Sequence, residues 1–196
     1  MKRPLLPALA MLAALTPALA AAAPAFLPTR DVSVDYSVAS PGQPPQTYRL
    51  SYAAASQQAR LDSVTGLYVL ANLPQGQAQV VVPALHAIVQ APDFSSLTTQ
   101  LYQADNASFT PIGTGHYAGL DCRDYKVTDK NGTARACITP DGVILHFAGQ
   151  NAHGGADITA TSVSYGPVAA DEFTPPANFM PLNLPPGALA ALLRQQ

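Results

Sequence analysis

Polar and apolar side chains alternate with a period of two along much of this chain, and proline and glycine interrupt the alternation at short intervals. Residues 31–38 read DVSVDYSV, and after the break at Pro41-Gly42 residues 47–52 read TYRLSY. Such alternation is typical of strands that bury one face, and short strands separated by turn residues indicate an antiparallel sheet. Further strands are expected over residues 58–64, 67–73, 77–82, 85–90, 116–128, 133–139, 143–148 and 156–165.

Three stretches depart from this period. In residues 94–104 the apolar side chains recur at the spacing of one helical face, and Asp93 precedes them as a candidate helix cap. The residues on that face are Phe94, Leu97, Leu101 and Tyr102. Residues 171–186 hold five prolines, which predicts an extended surface strap, and residues 187–194 are expected to form a short closing helix. The patterns together predict the α+β class, with a mainly antiparallel sheet and one or two short helices.

The start of the chain has the three parts of a secretory signal peptide. Two basic residues come first, residues 5–15 form an apolar core, and small residues follow. The apolar run is too short for a membrane anchor and leads into a small-residue cleavage site. Residues 1–22 are therefore expected to be removed by cleavage after Ala20 or Ala22, which leaves residues 23–196 as a single domain in the periplasm or outside the cell.

Charge excludes other classes of protein. Acidic and basic residues are 11% of the chain, less than half of the usual share of about a quarter. Without its two leader residues the chain keeps 8 basic and 12 acidic residues, so it lacks the basic surplus of a nucleic-acid binder. No apolar run after the leader is long enough to span a bilayer. Residues 63–120 contain only Asp93 and Asp105 as charged residues, which indicates core or cavity wall.

Cys122 and Cys137 are the only cysteines. An even count in an exported chain indicates a disulfide, and closing a loop of this size contributes on the order of 3 kcal/mol to stability. Two free buried thiols are the alternative. A metal site would need more ligands, and the nearest histidines, His116 and His146, lack a finger-like spacing. A redox pair is usually Cys-x-x-Cys, so the bond expected here is structural.

The turn between the two cysteines admits two registers. Asn131-Gly132 is typical of a two-residue hairpin turn, which would place Cys137 opposite Lys126. Lys126 is four residues from Cys122, and four strand residues span roughly 13 Å, too far for a disulfide.

A four-residue loop over residues 128–131 instead places the two cysteines opposite each other and is the register predicted. It also aligns Asp124 with Arg135, so that opposite charges meet across the strands. The residues expected on the other, core-facing side are Tyr125, Val127, Ala134, Ala136 and Ile138.

No catalytic constellation appears in the sequence. There is no Gly-x-Ser-x-Gly turn and no phosphate-binding glycine loop. His153 could bend toward Asp157, but a polar turn is the better interpretation, and His146 is expected to be a strand residue facing water. A hydrolase would be favoured only by a structure with His153 or His116 hydrogen-bonded to a carboxylate in a cleft. We therefore expect no enzymatic activity, no metal site and no cofactor.

Several segments together resemble exported bacterial proteins of unknown function that are related to the periplasmic lipoprotein carriers LolA and LolB. The segments are PTRDVSVDY at 28–36, ARLD at 59–62, GLYVL at 66–70, QVVVP at 79–83, YAGLDC at 117–122 and CITPDGV at 137–143. The resemblance covers roughly residues 28–170. It implies a strongly curved antiparallel sheet, a half-barrel, wrapped around one or two short helices. In those carriers the apolar space between sheet and helices holds acyl chains, and no carrier residue is matched to a position here.

The function expected is non-enzymatic binding of a hydrophobic, lipid-like or lipoprotein ligand by a periplasmic monomer. A cavity of roughly 300 Å³ or more, beside the helix over residues 94–104, is the minimum for such a ligand. The residues expected to line it are Phe94, Leu97, Leu101, Tyr102, Val69, Val80 and Val82. The alternative is an envelope protein-interaction or signalling module that binds a partner through a sheet edge and has no cavity.

Overall fold

The structure, a computed structural model, describes residues 24–90, 107–129, 132–151 and 154–182. These residues form one sheet whose strands are β1 Val32–Ala39, β2 Gln46–Ala53, β3 Gln58–Ser63, β4 Tyr68–Asn72, β5 Gln77–Val82, β6 Ala87–Gln90, β7 Ser108–Tyr117, β8 Leu120–Asp129, β9 Gly132–Ile138, β10 Ile144–Asn151, β11 Gly154–Tyr165 and β12 Met180–Leu182. Their order across the sheet is β12-β6-β5-β4-β3-β2-β1-β11-β10-β9-β8-β7. All neighbours are antiparallel except β12 and β6, which run parallel. The sheet is therefore open, with β12 and β7 at its edges.

The predicted antiparallel sheet is confirmed, but its seventh strand was not predicted. The single strand expected over residues 116–128 is wrong, because β7 ends at Tyr117 and β8 begins at Leu120. Ala118 and Gly119 turn the chain between them with φ of 50° and 76°, the positive values that a tight hairpin turn needs. Proline at position 111 argues against a strand in the sequence, so β7 was not predicted. An edge strand is one of the few places where a sheet tolerates proline.

Helix within the described part of the chain is limited to two short 3-10 turns, Pro83–Leu85 and Ala170–Phe173. The predicted helices over residues 94–104 and 187–194 lie outside the described residues, as does the expected signal peptide over residues 1–22. No helix in the described ranges has the length and apolar character needed to cross a membrane.

Strand register separates apolar from charged side chains in the first half of the sheet. One row of directly paired residues crosses all of β1 to β6 and is apolar throughout; it consists of Val34, Leu50, Leu61, Val69, Val80 and Val89. The adjacent row projects from the opposite side and begins with Asp35, Arg49 and Asp62. Arg49 and Asp35 form an ion pair there at 3.4 Å. We call these two sides the apolar face and the charged face.

Cys122 and Cys137 form the expected disulfide, with Cα atoms 5.4 Å apart. The predicted register of their hairpin is wrong. Asp124 pairs with Cys137, and the last pair of the hairpin joins Asp129 to Gly132. The prediction required bonded cysteines to lie directly opposite each other, whereas here the bond joins diagonal neighbours, which the twist between adjacent strands of a sheet brings together.

The error in register is two residues, so every side chain keeps its expected face. Arg135 lies opposite Lys126 rather than Asp124, yet its Nε donates to Asp124 Oδ1 at 3.1 Å. Asp124 is 1% exposed, so this ion pair neutralises a buried carboxylate. The residues expected on the other side do share it: Tyr125, Val127, Ala134, Ala136 and Ile138.

The described part of the predicted strap, residues 171–182, runs along the charged face. Near its start the buried Phe173 ends a 3-10 turn, and the Glu172 carbonyl accepts a hydrogen bond from Arg60 Nη1 at 3.3 Å. Further along, Phe179 packs against a cluster on β4 and β5 formed by Tyr68, Leu70 and Val81. The strap then joins the sheet as β12.

Replacing both cysteines by alanine is expected to lower the free energy of unfolding by about 3 kcal/mol, because the reduced chain regains loop entropy in its unfolded state. Urea unfolding of the oxidised protein and of the Cys122→Ala/Cys137→Ala variant measures the difference. Mass analysis of the wild type without reductant should find no free thiol. Two free thiols, or equal stability of the two proteins, would contradict the structural role.

Candidate ligand-binding groove

A cavity of about 270 Å³ lies against the apolar face. Its walls come from β1 to β4, from the N-terminal segment 26–28 and from residues 142–144. None of the described residues that line it is acidic or basic. Leu61 lines the cavity and is 38% exposed, so the cavity reaches solvent beside this side chain, and we call the cavity the groove. The main sheet residues that line the groove are Val34, Tyr36, Leu50, Leu61, Val69 and Ala71, and Leu73 lines it just after β4.

The groove shows that the sheet bends. Val69 on β4 and Ile144 on β10 both line it, although β3, β2, β1 and β11 lie between their strands. In a flat sheet, five strand spacings would hold these two strands about 24 Å apart, too far for both to line one small cavity. The sheet therefore curves around its apolar face.

Residues 26–28 close one side of the groove through contacts that are distant in sequence. The Phe26 ring packs edge-on against Phe109, with ring centroids 4.5 Å apart. The Leu27 carbonyl lies so close to Gly142 that a Cβ atom there would collide with it. Thr29 N donates to the Asp141 carbonyl at 2.9 Å. Glycine at 142, with φ of 91°, thus permits both the turn and the close approach of the N-terminal segment.

The Asp141 carboxylate holds this segment in place. Arg30 Nε donates to Oδ2 at 2.8 Å, while Thr139 Oγ1 and Tyr165 Oη donate to Oδ1 at 2.6 and 3.2 Å. The Arg30 guanidinium also stacks over the Tyr165 ring, 3.6 Å from its centroid. Partial burial raises the pKa of Asp141, but the hydrogen bonds from Thr139, Arg30 and Tyr165 outweigh burial and hold that pKa below its ordinary value.

Tyr36 brings a hydroxyl to the groove and satisfies it internally. Its Oη donates to the Ile144 carbonyl at 2.9 Å, which ties β1 to β10 across β11. Burial, and to a lesser extent Tyr165, raises the pKa of Tyr36 well above its ordinary value, so the hydroxyl remains a neutral donor. The groove consequently presents apolar surface without a charge.

Of the residues expected to line the ligand space, Val69 lines the groove. Val80 and Val82 lie on the same apolar face and pack with Val89, next to the groove. The role of the remaining expected residues stays a prediction because they lie outside the described residues: Phe94, Leu97, Leu101 and Tyr102.

The N-terminal wall, residues 26–28, and the turn at residues 140–142 on which it packs were not predicted from the sequence. Phe26 and Leu27 belong to a short segment without periodicity, so no pattern marks them as lining residues. The Pro140-Asp141-Gly142 sequence was a usable signal, because it is typical of a turn that needs a positive φ at glycine. What it could not show is which distant segment packs on that turn.

The histidines do not form a catalytic site in the described part of the chain. His116 Nδ1 lies 2.7 Å from Asp121 Oδ1 beside a shallow depression of about 820 Å³, which is the kind of arrangement expected to favour a hydrolase. These side chains are, however, 63% and 93% exposed, and no described hydroxyl is hydrogen-bonded to His116. The expectation that His146 faces water is wrong, because its ring stacks on Tyr117 at 5.0 Å and is 14% exposed. His153 lies outside the described residues.

No protein-family model and no curated protein matches the chain, whereas solved structures do match it. An uncharacterized conserved protein from Thermus thermophilus superposes with a TM-score of 0.56 at 9% identity, over 80% of this chain and 91% of that one. A chain of the Pseudomonas aeruginosa MucA/MucB complex superposes with a TM-score of 0.54 at 16% identity, over 80% of this chain and 62% of that one. This chain therefore matches less than two thirds of the Pseudomonas chain.

A LolA superfamily protein, NE2245 from Nitrosomonas europaea, is also similar, with a TM-score of 0.41 and 11% identity over 76% of this chain and 91% of that one. The similar structures thus include a LolA superfamily protein, in line with the resemblance inferred from the sequence, while the likeness of fold is carried by the two structures with TM-scores above 0.5. At these identities the similarity describes the fold alone, and function has to be argued from the groove.

Asp141→Asn is expected to lower the free energy of unfolding by about 1–2 kcal/mol at neutral pH, since it removes the charge that three donors share. A carboxylate whose pKa is depressed by folding stabilises the protein fully above its unfolded pKa of about 3.9, and this contribution is lost as pH falls through the folded pKa. Urea unfolding at a series of pH values between neutral and acid should therefore show a shallower acid loss in the variant. Asp171→Asn, on an exposed residue, is the control. If the free energy of unfolding fell equally steeply with pH in the wild type and in Asp141→Asn, the stabilising role of the Asp141 carboxylate would be contradicted.

Gly142→Ala is expected to destabilise the protein by about 1–3 kcal/mol more than Gly66→Ala. Both glycines have a positive φ, of 91° and 81°, but only at Gly142 would a Cβ collide, whereas the space around Gly66 is open. The difference between the two variants in chemical denaturation isolates the contact with the Leu27 carbonyl. Equal losses would show that this contact does not hold the wall.

Proposed function

We propose that the groove binds the apolar part of a lipid-like ligand, a free lipid or the acyl chain of a lipoprotein, in the periplasm and without a chemical step. The observation that supports this most is an apolar, uncharged groove with an open side at Leu61. Its volume of 270 Å³ falls slightly short of the roughly 300 Å³ expected as the minimum for a ligand.

The chemistry of the lining sets the orientation of the ligand. Each methylene that leaves water for the groove contributes about 0.8 kcal/mol, so an acyl chain gains affinity with length. A charged head group would find no partner among Val34, Leu50 and Val69, and burying an unpaired charge is strongly unfavourable. The tail therefore enters the groove and the head group remains at the open side.

In this proposal the curved sheet wraps around the helix predicted over residues 94–104. Phe94, Leu97, Leu101 and Tyr102 then face the sheet and extend the apolar wall, and the ligand space grows beyond the described groove. The predicted leader and the disulfide support a location in the oxidising periplasm. Ligand binding without an enzymatic reaction is consistent with the absence of a catalytic constellation in the sequence.

Partner binding is the second candidate function. The observation that favours it is the likeness to a chain that was solved as a complex, that of MucA with MucB. A partner protein could pair with an edge of the open sheet, as extended peptides do in many complexes. An occupied lipid groove distinguishes the first candidate from the second.

Leu61→Arg is expected to weaken binding of a fluorescent fatty-acid probe at least about tenfold, because it places a charge at the open side of the groove. Val64→Arg adds the same charge three residues later on a side chain that is 70% exposed and does not line the groove, so it should bind like the wild type. Phe94→Arg is expected to abolish binding and leave the fold intact. Circular dichroism checks folding, and probe titration measures affinity.

Native mass spectrometry of protein purified from periplasm gives an independent readout, a co-purified lipid that Leu61→Arg lacks. If the wild type binds no probe and carries no lipid, the groove is a packing feature and partner binding becomes the better function. Equal loss in Leu61→Arg and Val64→Arg would contradict the assignment of the site.

A further inference from the structure

The row of residues next to the groove lining on β2 and β3 carries hydroxyl groups. Leu50 and Leu61 pair across these strands and line the groove, and two residues away along each strand Tyr48 pairs with Ser63 on the same face of the sheet. Two residues of a strand span about 7 Å. A head group that leaves the groove beside the exposed Leu61 therefore lies within reach of this row.

Two hydrogen-bonded pairs of side chains form this polar border. On β2, Tyr48 Oη donates to Gln46 Oε1 at 2.6 Å. On β3 and the turn after it, Ser63 Oγ donates to the Leu67 carbonyl at 2.9 Å and lies 2.8 Å from Thr65 Oγ1, which is then the donor of that pair. We call the four side chains of Gln46, Tyr48, Ser63 and Thr65 the polar rim.

The polar rim has no ionic group for a charged head group. None of its residues is acidic or basic, and neither are those of the turn before β2 or of the turn after β3. The charged residues next to the rim in sequence, Arg49 and Asp62, project from the charged face. Each is already engaged in an ion pair there, Arg49 with Asp35 and Asp62 with Arg60.

The polar rim offers both donors and acceptors. Gln46 and Thr65 are exposed to solvent. Because Tyr48 donates to the Gln46 oxygen, the Gln46 amide nitrogen keeps two protons to donate, while Tyr48 Oη and Thr65 Oγ1 keep lone pairs to accept. A ligand hydroxyl both donates and accepts, so it matches this set. A phosphate diester only accepts and an ammonium group only donates, so each would use a part of it.

We propose that the polar rim binds the head group of the ligand in the groove and selects an uncharged, hydroxyl-bearing one, a sugar or a glycerol unit attached to an apolar chain. Tyr48 and Ser63 are directly paired, so their Cβ atoms lie about 5 Å apart, a distance that one sugar ring spans. This inference rests on the proposed function and adds to it the class of head group.

The test uses amphiphiles with the same dodecyl chain, each below its critical micelle concentration, to displace the fluorescent fatty-acid probe from the full chain. Dodecyl glucoside and dodecyl glycerol ether should displace it at concentrations about tenfold lower than dodecylphosphocholine and dodecyl sulfate, because one or two net hydrogen bonds distinguish the head groups. Comparison of the glucoside with the glycerol ether separates a sugar from a glycerol head group.

Tyr48→Phe and Gln46→Ala should each remove most of this preference, measured as the ratio of the inhibition constants of dodecylphosphocholine and dodecyl glucoside. Thr47→Ala is the matched control, because Thr47 lies between these two residues on β2 but projects from the opposite face. It should keep the wild-type ratio. Circular dichroism and urea unfolding check that each variant is folded.

Equal displacement by charged and uncharged head groups would overturn the inference and leave the groove in place as a site for apolar chains. An unchanged ratio in both Tyr48→Phe and Gln46→Ala, or an equal loss in Thr47→Ala, would also overturn it, since the preference would then arise elsewhere. If neither the amphiphiles nor the fatty acid bind, the groove itself fails as a site and the inference fails with it.

Discussion

The register of β1 to β6 is the constraint on which the groove depends. Val34, Leu50 and Leu61 fall on one face only because their strands pair without offset. A slip of one residue between β1 and β2 would bring a charge such as that of Arg49 onto the face that lines the groove, where it would lack a partner. The ion pair of Arg49 with Asp35 forms in the observed register and stabilises it from the other side.

The shape of the groove depends on contacts of a different kind. Strand register places the apolar side chains on one face. The curvature of the sheet and the N-terminal segment 26–28 then enclose a cavity against that face. Tyr36 bridges to the Ile144 carbonyl, and Asp141 holds Arg30 from a position more than one hundred residues away. Hydrogen bonds thus hold β1 to β10 and the N-terminal segment to residue 141, and none of the described residues that line the groove is charged.

The features that were predicted correctly are those that depend on the alternation of polar and apolar residues. Strand faces follow from a period of two, so the face of Tyr125 survived a register error of two residues. The candidates Val69, Val80 and Val82 do share one face, although their strands are apolar on both sides and no alternation assigned them to it. Register itself depends on twist and loop geometry, which the spacing of Cys122 and Cys137 does not encode.

Three features were not predicted, namely β7, the wall at Phe26 and the curvature of the sheet, because none of them produces a regular pattern in the sequence. β7 carries Pro111 and two glycines, which suppress the strand pattern although an edge position tolerates them. The wall at Phe26 arises from packing between segments that are distant in sequence, and such contacts leave no periodic trace. Curvature likewise became visible only when strands separated by four others were found to line one cavity.

Both edges of the sheet carry a proline, Pro111 in β7 and Pro181 in β12. Successive residues of a strand point their amides in opposite directions. Because the Met180 amide points to β6, the missing amide of Pro181 falls on the solvent side. A molecule that approached the β12 edge would meet a gap in the row of donors, and stacking into a fibre requires two continuous edges per molecule. The described residues can therefore form a wide and open sheet without serving as a template for aggregation of the chain.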